Sequence, residues 1–191
     1  MLYLVRHGRT AANAGARLQG RLDLPLDDVG RQQAAALTRL VPPPARLVVS
    51  PMIRAHQTAE VFGCAPEVDH RWLEMDYGVM DGVPLADVPP DMWAAWRSDP
   101  HFAPEGGESL ATLAERVHAA CDDLLAAAAE SDVVVVTHAT PIKVAMAWAL
   151  GVEPSITWRS FVDQASVTRV SVRDGRPVLA GFNLLPPPIV A

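Results

Sequence analysis

Four side chains in this chain of 191 residues have the types needed for chemistry on a phosphate: Arg6, His7, Arg54 and His138. Guanidinium forks fit phosphate oxygens, and their fixed charge lowers the pKa of a neighbouring imidazole, leaving it neutral and nucleophilic near pH 7. The expected chemistry is attack of His7 on phosphorus, giving a phosphoenzyme.

For these residues to meet, the chain must bring distant segments together at one edge of a sheet. Leu2-Tyr3-Leu4-Val5 is an apolar strand-forming run that stops at Arg6-His7-Gly8, and Thr10 can cap a helix immediately after. Ligands collect outside the carboxyl ends of strands in open α/β sheets, which is where this histidine falls. Arg46 to Val49 is a second short run, followed by Ser50-Pro51, a capping serine with a proline suited to the first helical position, and a helix from about Met52 to Phe62 that carries Arg54. The four valines from Val133 to Val136 suit a strand covered on both faces, and Thr140-Pro141 repeats the cap-and-proline pattern after His138. Helix amino termini at two of these strand ends add an anion-favouring field.

The remaining elements complete an α/β chain. Asp27-Asp28 opens an alanine-rich helix to about Leu40 that Pro42-Pro43-Pro44 ends, and Val68 marks a weak strand. Residues 76–107, rich in proline, glycine and tryptophan, form no clean period and read as a small irregular or helical lid insertion. Ser109 to Ala129 has apolar residues at helical spacing, and Ala165 to Val172 and Pro177 to Phe182, joined at Asp174-Gly175, read as a hairpin. Strands alternating with helices predict a three-layer α/β/α fold with a mostly parallel central sheet and a C-terminal antiparallel hairpin. One domain over 1–191 is expected, with Pro186-Pro187-Pro188 as a tail outside the fold.

Composition narrows the partners. With 16 basic against 22 acidic residues the formal charge is −6, so no global attraction to nucleic acid is expected. The longest apolar runs fall far short of the roughly 20 residues of a membrane helix, and no signal-peptide pattern opens the chain, so a cytoplasmic protein without membrane contact is expected. Cys64 and Cys121 have no paired spacing and read as two buried free thiols. The sequence leaves the oligomeric state open, a dimer included.

The chain also resembles the histidine phosphatase superfamily, the phosphoglycerate-mutase-like fold, from end to end. The resemblance rests on Leu4-Val5-Arg6-His7-Gly8-Arg9-Thr10 with Asn13, Gln19-Gly20 with Asp23-Leu24-Pro25-Leu26 and Gly30, and Ser50-Pro51-Met52-Ile53-Arg54-Ala55 with Gln57-Thr58-Ala59. It continues through Leu73-Glu74-Met75-Asp76-Tyr77-Gly78 with Asp81-Gly82, Gly106-Gly107-Glu108-Ser109, and Val136-Thr137-His138. Such blocks, in order along the chain, are far more specific than an isolated Arg-His-Gly.

The resemblance implies roles. His7 would be the phosphorylated nucleophile, Arg6 and Arg54 would hold phosphate oxygens, and His138 would donate to the phosphoryl group. Glu74, in a partly desolvated place, would protonate the leaving alkoxide and then deprotonate the attacking water. Asn13 and the Gln19 neighbourhood, Gly20 included, would line the entrance, and the amide of Ala139 would add a donor. Two positions depart from the family pattern: Arg9 stands where an acidic residue is common, and Ala139 replaces a glycine. Arg9 adds positive charge at the site if it turns inward; otherwise it is a solvated arginine. Trp93 and His101 are outside candidates for substrate contact, Trp93 against a place in the small core of the insertion. Flanking arginines oppose a cation, so neither a metal nor a cofactor is expected.

The activity expected is hydrolysis of a small phosphorylated metabolite by a metal-independent phosphomonoesterase. A phosphoglycerate-type mutase using the same phosphohistidine and a non-catalytic phosphate-binding regulator are the alternatives. The Thr137-His138-Ala139-Thr140-Pro141-Ile142-Lys143 run is similar to α-ribazole phosphatase-like proteins. That is a single block, and it does not decide the substrate.

Overall fold

Alternation along two central strands sets the architecture. In β1 (Leu2–Arg6), Leu2 and Leu4 enter one buried apolar cluster while Tyr3 and Val5 enter another. In β4 (Val133–Thr137), Val133 and Val135 join the first and Val134 and Val136 the second. Each strand is therefore covered on both faces, which is why four consecutive valines are tolerated there. The computed structural model describes residues 1–187.

The sheet has six strands in the order β3-β2-β4-β1-β5-β6, where β2 is Arg46–Val49, β3 Glu67–Val68, β5 Val167–Arg173 and β6 Arg176–Leu184. The first four run parallel, β5 is antiparallel to β1, and β6 is antiparallel to β5. The expected three-layer α/β class and terminal hairpin are thus both present. At the hairpin turn Asp174 and Gly175 adopt φ of 50° and 72°, the left-handed conformations that a two-residue hairpin loop requires.

Six α-helices complete the described chain: α1 Ala11–Ala14, α2 Asp28–Ala36, α3 Ile53–Ala59, α4 Pro90–Ser98, α5 Leu110–Glu130 and α6 Ala139–Leu150. Thr10, Asp27 and Ser109 cap α1, α2 and α5 through their side chains, as their types suggest. The two serine-proline and threonine-proline signals misled. Met52 occupies the cap position of α3, and α6 begins at Ala139 with His138 at its cap, placing Pro141 third rather than first. A proline is compatible with any position of the first turn, whose amides have no partner inside the helix. The helices expected to reach Leu40 and Phe62 end in 3₁₀ turns, Leu37–Arg39 and Glu60–Phe62.

Residues 76–107 hold two 3₁₀ turns and α4, and Met80, Val88 and Trp96 of this segment are buried in the same cluster as Leu2 and Val133. Cys121 is buried as expected, but Cys64 is exposed, because it follows the left-handed Gly63 that turns the chain out after α3. Pro186 and Pro187 follow β6 without regular structure; Pro188 lies outside the described residues. No described helix is long and apolar enough to cross a membrane.

Candidate active site

Strand register brings the expected residues together. Arg6 pairs with Thr137 and Val49 with Val136, so β1, β4 and β2 end at one level, and His7, His138 and Ser50 leave them side by side. The amide of His7 donates to Thr137 O at 2.9 Å and that of Ser50 to Val136 O at 3.0 Å. The rings of His7 and His138 meet edge to face with centroids 5.1 Å apart. Gly8 then turns the chain against α2, where a Cβ would lie 2.4 Å from Gly30 O. The amide of Gly8 donates to Thr58 Oγ1 at 3.1 Å, and this hydroxyl donates to Arg54 O at 2.8 Å, tying the His7 loop to α3.

His7 is almost fully buried, and its Nδ1 lies 2.7 Å from Gly8 O. A contact at that distance to a carbonyl requires the proton on Nδ1 and leaves the lone pair on Nε2. Burial, and then the charges of Arg54 and Arg6, push the imidazole pKa well below its ordinary value, so the ring is neutral.

Arg54 is fully buried and held on three sides: Nη1 donates to Leu22 O at 2.7 Å, Nη2 to Gly20 O at 2.8 Å, and Nε to His138 Nδ1 at 3.2 Å. Burial lowers its pKa to about 10, and it remains a cation at neutral pH. Two of its five N–H groups stay unassigned among these contacts. Arg6 donates Nη1 to Val162 O, and its buried Nε has no partner among the described residues.

His138 differs from expectation. Its Nδ1 accepts from Arg54, so Nε2 carries the proton and donates to Ser50 Oγ at 2.7 Å. Both ring nitrogens are engaged in the protein, and the fully buried ring lies behind Arg54 rather than on the pocket wall. Burial, then Arg54, also depresses its pKa well below the ordinary value. The sequence signal for Ser50 as its partner is a serine directly ending a strand, a position where the local Ser-Pro pattern predicts a helix cap instead.

Glu74 is 8% exposed and lines the pocket. Its Oε1 accepts the amides of Met75 at 2.9 Å and Thr140 at 3.2 Å, and Oε2 that of Ala139 at 3.1 Å. The carboxylate therefore occupies the amino terminus of α6, and the Ala139 amide expected to meet phosphate is committed to Glu74 instead. A carboxylate is favoured there for the same reason a phosphate would be. Arg116 of α5 fixes the backbone behind it, donating Nη1 to Arg71 O at 2.7 Å and Leu73 O at 2.8 Å and Nη2 to Glu74 O at 3.3 Å.

Arg6, His7, Asn13, Gln19, Arg54 and Glu74 line one pocket of about 140 Å³. Asn13 Oδ1 takes the amide of Thr10 at 3.1 Å, and Gln19 Oε1 accepts from Thr10 Oγ1 at 2.8 Å. Gly20 contributes its carbonyl to Arg54 and does not line the pocket. Arg9 turns away, its Nε 2.8 Å from Asp27 Oδ2, because the acid capping α2 offers a nearer partner than the site. Trp93 packs edge to face on Trp96 at 5.3 Å, and His101 is exposed, neither lining the pocket. Sequence reasoning passed over Arg17, Tyr77, Thr140 and Lys143, which do line it. Helical spacing puts Lys143 on the face of Ala139 and Thr140, which was a usable signal. A larger hollow of about 500 Å³, lined in part by Arg97, Trp158 and Arg159, shares no residue with this pocket.

A model of the histidine phosphatase superfamily (branch 1) matches residues 2–185. The probable phosphoglycerate mutase GpmB of Yersinia pestis (strain Pestoides F) is 30% identical over 192 residues, covering 95% of this chain and 89% of that protein. A mycobacterial glucosyl-3-phosphoglycerate phosphatase solved with VO3 is 32% identical, covers 96% of this chain and 98% of its own, and superposes with a TM-score of 0.85. Phosphoserine phosphatase from Entamoeba histolytica, solved with 3-phosphoglyceric acid, is 25% identical with a TM-score of 0.87 over 95% of each chain.

Proposed function

Because the chain belongs to the histidine phosphatase superfamily (branch 1), we propose that it is a metal-independent phosphomonoesterase, hydrolysing a small phosphorylated metabolite through a phosphohistidine on His7. The observation that carries this reading is the Nδ1 contact of His7 with Gly8 O, which leaves Nε2 as a free lone pair on a neutral ring between Arg6 and Arg54.

In the first step His7 Nε2 forms a bond to phosphorus as the ester P–O bond breaks, and the leaving alkoxide takes a proton from the carboxyl of Glu74. In the second, water attacks phosphorus and returns a proton to Glu74 while the N–P bond breaks, restoring neutral His7 and releasing phosphate. Arg6 and the two unassigned N–H groups of Arg54 meet the phosphoryl oxygens, stabilising charge as it develops. His138 acts through Arg54 as a positioning residue. The chain works as one domain in which the 76–107 insertion reaches the pocket through Tyr77.

A mutase reading is favoured by one observation, the GpmB relative. Both are tested by measuring phosphate release from a panel of phosphomonoesters, with chelator present, by the wild type and His7→Ala, together with acid-quench trapping of a labelled phosphoenzyme. Release and trapping in the wild type with loss of both in His7→Ala are expected. Turnover surviving in His7→Ala sinks the mechanism, and transfer within 3-phosphoglycerate without release selects the mutase.

A further inference from the structure

The Gly106-Gly107-Glu108-Ser109 block contributes nothing to the pocket wall, yet the carboxylate of Glu108 is tied to both halves of the proposed chemistry. Glu108 stands just before Ser109, the cap of α5, and its side chain is 13% exposed. Its Oε1 accepts the amide of Asp76 at 3.0 Å, and its own amide donates to Asp76 O at 3.0 Å, which pins the chain two positions past Glu74. Gly107 allows the approach, since a Cβ there would lie 2.7 Å from Asp76 O.

The chain before Glu74 is held from the same point. Arg116 grips Glu108 as a fork, Nε on Oε2 at 3.1 Å and Nη2 on Oε1 at 2.5 Å, and its other N–H groups go to Arg71 O, Leu73 O and Glu74 O. All five donors of the guanidinium are then engaged, which fixes its plane. A third donor to Glu108 Oε1 arrives from the phosphate side. Arg21 Nη2 lies 3.3 Å away, and Arg21 stands between Gly20 and Leu22, whose carbonyls hold the guanidinium of Arg54. One carboxylate oxygen thus joins the segment carrying Glu74 to the segment that holds Arg54.

We infer that Glu108, clamped by Arg116, is a positioning residue that fixes where the Glu74 carboxyl stands relative to a phosphoryl group gripped by Arg54. It lines no part of the pocket and acts through Glu74, so the inference rests on the reading of Glu74 as proton donor. Without this carboxylate the Asp76 amide and the Arg116 fork lose their acceptor, and the segment on either side of Glu74 is free to shift. Arg54 keeps its bonds to Leu22, Gly20 and His138, so the phosphate grip survives.

The test is the ratio of turnover on 2-hydroxyethyl phosphate to turnover on p-nitrophenyl phosphate, which does not depend on how much of a variant is folded. Only the first ester needs the proton. Glu108→Ala should lower this ratio about ten- to a hundredfold, with inhibition by inorganic phosphate kept within about threefold of wild type. Glu108→Gln retains an oxygen for the Asp76 amide but gives up the charge facing Arg116 and Arg21. Its ratio should fall between the two, and it decides the matter if Glu108→Ala does not fold. Ratios at the wild-type value in the Glu108 variants, while Glu74→Gln lowers its own, overturn the positioning role alone. Wild-type protein that hydrolyses neither ester, or Glu74→Gln with an unchanged ratio, overturns the reading of the site and this inference with it.

Discussion

The Nε–H of Arg54 points at Nδ1 of His138 across 3.2 Å, and the opposite nitrogen of the same ring reaches Ser50 Oγ at 2.7 Å. The second histidine thus spends both nitrogens on fixing an arginine inside a fully buried position. Removing it strands the Arg54 Nε–H without an acceptor, and an unmet buried donor costs about 1–3 kcal/mol.

His138→Ala is expected to weaken inhibition by inorganic phosphate at least about tenfold and to lower kcat/KM by about a hundredfold or more. His138→Gln, whose amide oxygen can accept from Arg54, should recover part of both. Unchanged phosphate inhibition in His138→Ala would show that the ring does not act through Arg54.

Glu74→Gln separates the acid from the phosphate grip. General acid catalysis is worth about 10²–10⁴ in rate where the leaving group needs a proton. Alkyl phosphates should slow by that order, and p-nitrophenyl phosphate, whose leaving group departs unaided, far less. Equal slowing of the two would move the proton donor to another residue.

Acid should unfold the protein through its two buried histidines. His7 and His138 both have folded pKa values well below the ordinary 6.5, so below that pH the unfolded chain binds protons that the folded chain refuses. Stability from this source is complete above 6.5 and lost as pH falls from 6.5 toward the folded values, with a combined slope of about 2.7 kcal/mol per pH unit once both unfolded rings are charged. Urea unfolding at pH 7.5, 6.5 and 5.5 measures it, and His7→Gln should shrink the slope. A flat profile over this range would contradict neutral burial.

Gly8→Ala tests the close approach that aims the nucleophile. The new Cβ would meet Gly30 O at 2.4 Å, well inside contact distance and against backbone that cannot swing away. A loss of about 1–3 kcal/mol in chemical denaturation is expected, with a larger fall in turnover because the His7 loop must move. Wild-type turnover in this variant would show the loop has slack.

Much of the fold was legible because it is locally encoded. The strand that stops at Arg6-His7, the all-valine strand before His138, and the side-chain caps at Thr10, Asp27 and Ser109 each depend on a few neighbouring residues. The cap-and-proline signals at Ser50-Pro51 and Thr140-Pro141 failed where a tertiary partner outbid the local one. His138 claims the Ser50 hydroxyl, and Glu74 claims the first amides of α6.

By itself the sequence determined that Arg6, His7, Arg54 and His138 gather at one sheet edge, through the residue types at and just after the ends of β1, β2 and β4 and a parallel sheet that sets those ends level. Tertiary structure alone decided what each of them touches. Whether Arg9 faces phosphate or Asp27, whether His138 faces the pocket or Arg54, and whether Lys143 has a partner all depend on distances of a few ångströms between segments far apart in the chain. Hydrogen bonds and ion pairs decay over those distances, so residue type and spacing cannot assign them.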